Sequence, residues 1–178
     1  MLTREDTAFV LVDVQEKLAR VMHNRDALVE NLVKLVKGLR ALEIPLVWCE
    51  QNPNGLGPTV PEIAEAMAGA PITKISFSCC VEQKFNDALE ALSRRQILIA
   101  GIETHVCVYQ TTADLLDEGF DVEVVADGVS SRTLENKTIG LEKMKQIGAK
   151  ITSVEMVLFE LLKAAEGLEF KEILKIVK

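Results

Sequence analysis

The chain has 178 residues, 48% hydrophobic and 26% charged, a length and balance that suit one globular domain over 1–178 and exclude a disordered polymer. Lys and Arg number 20 against 27 Asp and Glu, a formal charge of -7, so there is no basic surplus for nucleic acid or an anionic membrane. Four cysteines, Cys49, Cys79, Cys80 and Cys107, lack CxxC spacing and fit free thiols in a reducing, cytoplasmic compartment better than a metal or disulfide framework.

The opening MLTREDTAFVLVDVQ places acids before a short apolar run and reads as neither a signal peptide nor a membrane span. Within it, residues 7–15 form a β-branched run that predicts a buried strand. From Asn24, a plausible N-cap, to about Leu42, apolar residues recur at helical spacing. Residues 44–50 predict a second strand, and the Pro- and Gly-rich QNPNGLGPTVPE after it predicts a long loop. Ile72 to Phe77 reads as extended and Cys80 to Leu92 as helical. A third buried strand at 95–102 leads into a helix over roughly 104–118 that stops at Gly119. A fourth strand spans 120–127, and a helix follows over Leu134–Ile147 with Leu141, Met144 and Ile147 as its core stripe. A short strand at 149–153 and helical stretches near 153–164 and 168–177 complete the pattern.

Strands alternating with helices predict a three-layer α/β/α sandwich around a mainly parallel sheet of five or six strands. Ligands in such sheets sit beyond the carboxyl ends of the strands, at a topological switch point. Polar residues at those ends are therefore the ones to search: Asp13 after the first strand, Glu50 at the end of the second, Gly101 to Cys107 after the third, Asp127 at the end of the fourth. A carboxylate at a buried strand end needs a partner. Lys74, inside the apolar-leaning PITKISFS, is the leading cation. Each has a plainer role open to it: Asp13 as a turn cap, Lys74 reaching for water, Cys107 as a small core residue. Together, a thiol at a helix start, a carboxylate to take its proton and a lysine to hold charge are the parts of nucleophilic amide hydrolysis.

The segments VDVQEKL (12–18), TKISFS (73–78) and GIETHVCVYQTTADLL (101–116) resemble the three signature regions of the isochorismatase-like, or cysteine hydrolase, superfamily. The resemblance covers about the first 150 residues and implies that Asp13 accepts the thiol proton, Lys74 steadies thiolate and Asp13, and Cys107 attacks. It also implies an oxyanion site at the backbone amides of Glu103 and Cys107, organised by a cis peptide between Ile102 and Glu103. Donors of that kind contribute on the order of 3 kcal/mol each to a transition state.

Members that hydrolyse the vinyl ether of isochorismate lack this thiol, so Cys107 points to a C–N bond in a small amide or ureido substrate. Nicotinamidases in the superfamily carry a metal site after the second strand. The matching WCEQNPNGLGPTVPE has no histidine, and the chain's two, His23 and His105, make no zinc set. No metal and no other cofactor is expected, which counts against nicotinamidase; nicotinamidase and a catalytically weak binding or scaffold member are the alternatives to the amide or ureido hydrolase.

Candidate pocket residues are Gln15, Trp48, Glu50, Phe77, Thr104 and His105. Gln51 is in reach as well, with loop capping an equal role for Glu50 and Gln51 and core packing for Trp48 and Phe77. Cys79 and Cys80 read as packing or interface residues. The partners expected are a small-molecule substrate and, by resemblance, further copies in a homo-oligomer.

Overall fold

The computed structural model describes residues 1–178. In chain order the elements are β1 (Thr7–Val12), α1 (Glu16–Ala19), α2 (Arg25–Ala41), β2 (Leu46–Gln51), α3 (Pro53–Leu56), α4 (Pro61–Ala64), β3 (Ile72–Lys74) and α5 (Gln83–Leu92). They continue with β4 (Gln96–Ile102), α6 (Tyr109–Asp117), β5 (Asp121–Ser130), α7 (Leu134–Gln146), β6 (Lys150–Thr152), α8 (Val154–Leu162) and α9 (Gly167–Val177). A 3₁₀ turn at Cys79–Val81 precedes α5, and a π-helical turn at Thr104–Val108 precedes α6. No helix is long and apolar enough to cross a membrane.

The six strands form one all-parallel sheet in the order β3-β2-β1-β4-β5-β6. Every residue of β1 is buried, as a strand covered on both faces requires. Helix α2 buries Leu28, Val29, Leu32, Leu35, Val36 and Leu39, the i, i+3, i+4 stripe of an amphipathic helix, and packs with α8 and α9 on one face of the sheet. On the other face, α5 packs on β2 while α6 and α7 pack on β5. Thr133 and Ser153 cap α7 and α8 by accepting from the backbone N–H of Asn136 and Met156. Strand order reverses between β1 and β4, so the crevice beyond Val12 and Ile102 is the switch point of the fold.

Several boundaries differ from the sequence reading. The first strand stops at Val12 because Asp13 turns into the left-handed region at φ 53°. The long loop after β2 contains the single turns α3 and α4, each begun by a proline at its first position. The extended segment from Ile72 ends at Lys74. Asp127 does not end its strand: β5 continues to Ser130 beyond a register shift opposite Ile99 and Gly101, and Asp127 Oδ1 accepts from Val154 N at 2.9 Å. Asn24 precedes α2 at φ 52° with no side-chain cap bond. Of the α7 stripe, Met144 is fully buried, whereas Ile147, beyond the last turn, is 42% exposed.

Candidate functional site

The ends of β1, β2 and β3 and the π-helical turn converge at the switch point. Beyond β1, Asp13 N donates to Cys49 O at 3.2 Å and Asp13 O accepts from Gln15 N at 2.7 Å, a tight turn that holds the carboxylate under the sheet edge. A left-handed conformation is tolerated at aspartate far better than at a β-branched residue. Lys74 closes β3 in register with Gln51 of β2. Its ammonium donates to Asp13 Oδ2 at 2.6 Å and to the carbonyls of Ser76 and Phe77 at 3.0 Å each. All three donors of the lysine are thus used, and both charged side chains are 0% exposed.

Cys107 lies in the turn between β4 and α6, 5% exposed. Its Sγ donates to Gln51 Oε1 at 3.4 Å. Asp13 lies beside it, and Asp13 Oδ1 is buried with no hydrogen-bond partner. The path that delivers Cys107 is steric. Gly101 has φ 121°, and a Cβ there would fall 2.1 Å from Val12 O, so only glycine lets β4 pass this close to β1. The next peptide, Ile102–Glu103, is cis. Gly140 of α7 presses on the turn: a Cβ there would be 3.0 Å from His105 N and Cα and from Thr104 C.

The ionisations are coupled. Burial, then the negative charge of Asp13, push the Cys107 thiol up to about 12, against the pull of Lys74. Burial also holds Asp13 above the usual carboxylate range, although Lys74 opposes it. Burial works against the charge on Lys74, but Asp13, Cys79 and Cys107 outweigh it and raise the ammonium above its ordinary value. The centre thus sets a thiol beside the Asp13 carboxyl group, whose Oδ2 Lys74 holds and whose Oδ1 has no hydrogen-bond partner.

The remaining sequence candidates divide. Gln15 is fully buried and acts on the backbone of Gln51: Nε2 donates to Gln51 O at 3.0 Å and to Gly57 O at 2.7 Å, and Oε1 accepts from Gln51 N at 2.8 Å. Glu50 does not serve the centre. Its Oε1 accepts from Thr59 N at 2.7 Å and Thr59 Oγ1 at 2.8 Å, which pins the loop. Trp48 is a core residue, 7% exposed, donating to Ala68 O at 3.2 Å. Adjacent strand residues face opposite ways, so Gln51 reaches Cys107 where Glu50 cannot.

Phe77 contributes its carbonyl to Lys74 while its ring is half exposed. Thr104 is buried with Oγ1 unpartnered, and His105 Nδ1 lies 3.0 Å from Ser131 Oγ. The Glu103 side chain turns aside to accept from Arg132 N at 3.2 Å and Nε at 3.0 Å. All four cysteines are free and buried, and Cys79 N donates to Thr111 Oγ1 at 3.0 Å. No three His, Cys, Asp or Glu side chains cluster to hold a metal ion. A groove of about 1000 Å³ lined by α2, α4 and α9 shares no residue with this centre.

The family model described as the Isochorismatase domain matches residues 7–156. Isochorismatase domain-containing protein 2 of Xenopus laevis is 38% identical over 176 residues, covering 99% of this chain and 85% of the relative. A solved structure described as MAR1 ribonuclease from Caenorhabditis elegans superposes with a TM-score of 0.92 at 35% identity, covering 99% of this chain and 91% of that one. The YcaC gene product of Escherichia coli, described as an octameric hydrolase of unknown specificity, superposes with a TM-score of 0.92 at 26% identity, covering 98% and 89%.

Proposed function

The chain belongs to the isochorismatase family of hydrolases, and on that premise we propose that it is a cysteine hydrolase cleaving the C–N bond of a small amide or ureido substrate. The observation that carries this reading is the free oxygen of a buried, lysine-held carboxylate beside the only cysteine of the π-helical turn. A thiol so placed has a base at hand and needs no metal to be activated.

In the proposed reaction Asp13 takes the Cys107 proton as Sγ bonds to the substrate carbonyl carbon. The C=O π electrons move to oxygen, and the backbone amides of Glu103 and Cys107 receive that charge. Collapse restores the carbonyl and breaks the C–N bond, and the departing nitrogen takes the proton from Asp13. Water then adds to the thioester while Asp13 accepts its proton. Collapse expels the thiolate, which is reprotonated as the acid leaves. Lys74 keeps Asp13 Oδ2 occupied throughout, so the proton travels through Oδ1.

The ribonuclease name of the Caenorhabditis elegans relative is not carried to this chain. A formal charge of -7 opposes a polyanionic substrate, and the buried lysine of the centre is already committed to Asp13. The four free, buried thiols support work in the cytoplasm. Ile75, Phe77 and Val81, 71%, 51% and 68% exposed beside Lys74, together with the octameric Escherichia coli relative, support assembly of copies into a homo-oligomer.

The test is a panel of primary amides and ureido acids assayed for release of ammonia or amine. Turnover of a panel member by the native protein, and none by Cys107→Ala, is the expected result. Turnover that persists in Cys107→Ala contradicts the reading.

A further inference from the structure

We propose that Gln51 is a specificity-determining residue: its side-chain oxygen holds the Cys107 thiol proton until a substrate N–H takes its place, so the centre favours carbonyl compounds bearing an N–H over esters. The proposal rests on the thiol chemistry proposed above and adds a selection step to it.

Two acceptors stand beside one S–H. Cys107 Sγ donates to Gln51 Oε1 at 3.4 Å, while Asp13 Oδ1, the oxygen to which the proton must go, has no partner. A thiol has a single hydrogen, so a bond to Gln51 withholds it from Asp13. The resting arrangement is therefore parked rather than poised for attack.

Gln51 is held in that position. Gln15 brackets its peptide through Gln51 N and Gln51 O, and the same Nε2 reaches Gly57 O. The Gln51 side chain is fixed in turn by its own Nε2, which donates to Ile75 O at 3.1 Å and leaves Oε1 facing the sulfur. An amide clamped through its nitrogen presents one acceptor to whatever enters. The complement of that acceptor is an N–H on the substrate. When a substrate N–H donates to Oε1, the thiol hydrogen is displaced toward Asp13 Oδ1, and proton transfer can accompany attack. An ester brings no such donor and leaves the thiol bonded to Gln51. Sites built to hydrogen-bond a substrate N–H discriminate against analogues lacking it.

N-methyl-2-chloroacetamide and methyl chloroacetate test this directly, since they differ in N–H against O and little in shape. Each alkylates a thiol with one bond made and one broken: C–S forms, C–Cl breaks with its electron pair leaving on chloride, and the thiol proton passes to Asp13. The rate of modification at Cys107 is read by peptide mass spectrometry and divided by the rate for glutathione. Native protein should favour the amide by about tenfold or more over the glutathione ratio. Gln51→Met and Gln51→Ala should lose that preference, and Gln51→Glu, which keeps an acceptor, should retain it. Equal ratios in the native protein, or a preference surviving both Gln51→Met and Gln51→Ala, would overturn the proposal. If Cys107 reacts in an Asp13-dependent way without preferring the amide, the role of Gln51 alone falls. If Cys107 reacts with neither compound, the thiol reading falls and takes this inference with it.

Discussion

Lys74 Nζ sits 2.6 Å from Asp13 Oδ2, and neither side chain reaches solvent. Residues 61 positions apart are joined because β3 and β1 flank β2 in a parallel sheet and end at the same edge. Removing either partner strands a buried charge, which costs about 3–5 kcal/mol. Lys74→Met and Asp13→Asn should each lower the urea unfolding free energy by that order. The double variant should recover part of the loss, since it buries no charge. Additive losses in the double variant would contradict the coupling.

Acid and alkali should act on different groups of this protein. Asp13 lies above its ordinary range, so acid should protonate the proposed base at a pH above the usual aspartate value of about 3.9. Alkylation of Cys107 by neutral chloroacetamide should hold level near neutrality and fall below that raised midpoint. A rise that follows a free thiol near pH ~8.5 would contradict it.

Stability should move the other way in alkali. Cys80 and Cys107 are each pushed from 9.0 up to about 12, in both cases chiefly by burial. Between those values the unfolded chain has lost thiol protons that the folded chain keeps, so the unfolded state binds fewer protons and stability falls as pH rises. The stabilisation is complete below pH 9.0 and lost on passing about 12. Urea midpoints from about pH 8 to 10.5 should decline, and Cys80→Ala should make the decline shallower.

Much of the architecture is legible in the chain, for a physical reason. TAFVLV and QILIAGI are apolar along their whole length, which only strands buried on both faces need, and both prove to be central. Asp13, Lys74 and Cys107 could be marked because a charge or a thiol at the edge of such a run has little reason to be there. The sequence puts both Glu50 and Gln51 in reach of the centre but does not disclose that Gln51 is the one that faces Cys107. Which face each takes depends on where β2 starts, and it starts at Leu46, after Pro45, two residues later than the apolar pattern suggests. Asp127 was misplaced because the register shift near Ile99 and Gly101 lengthens β5 past a polar residue. Nor does the sequence disclose that Gly140 packs against His105, a contact made by tertiary approach rather than by helix periodicity.

Gly140→Ala separates positioning from stability. Alanine favours a helix over glycine by about 1 kcal/mol, yet its Cβ would press 3.0 Å from His105 N and Cα. The turn carrying Cys107 must then shift by a few tenths of an ångström. Thermal unfolding should change by no more than about 1 kcal/mol, while Cys107 labelling should slow by about tenfold. Unchanged labelling would show that α7 does not position the thiol.

In the proposed mechanism Asp13 makes Cys107 a nucleophile. The most direct test of that role is the labelling rate of the native protein by a neutral thiol electrophile at pH 7, resolved for Cys49, Cys79, Cys80 and Cys107. Cys107 should react first, to one adduct per chain, and Asp13→Asn should slow it by about a hundredfold or more without unfolding the protein. Equal reactivity of Cys107 and Cys49, or a Cys107 rate indifferent to Asp13→Asn, would contradict it.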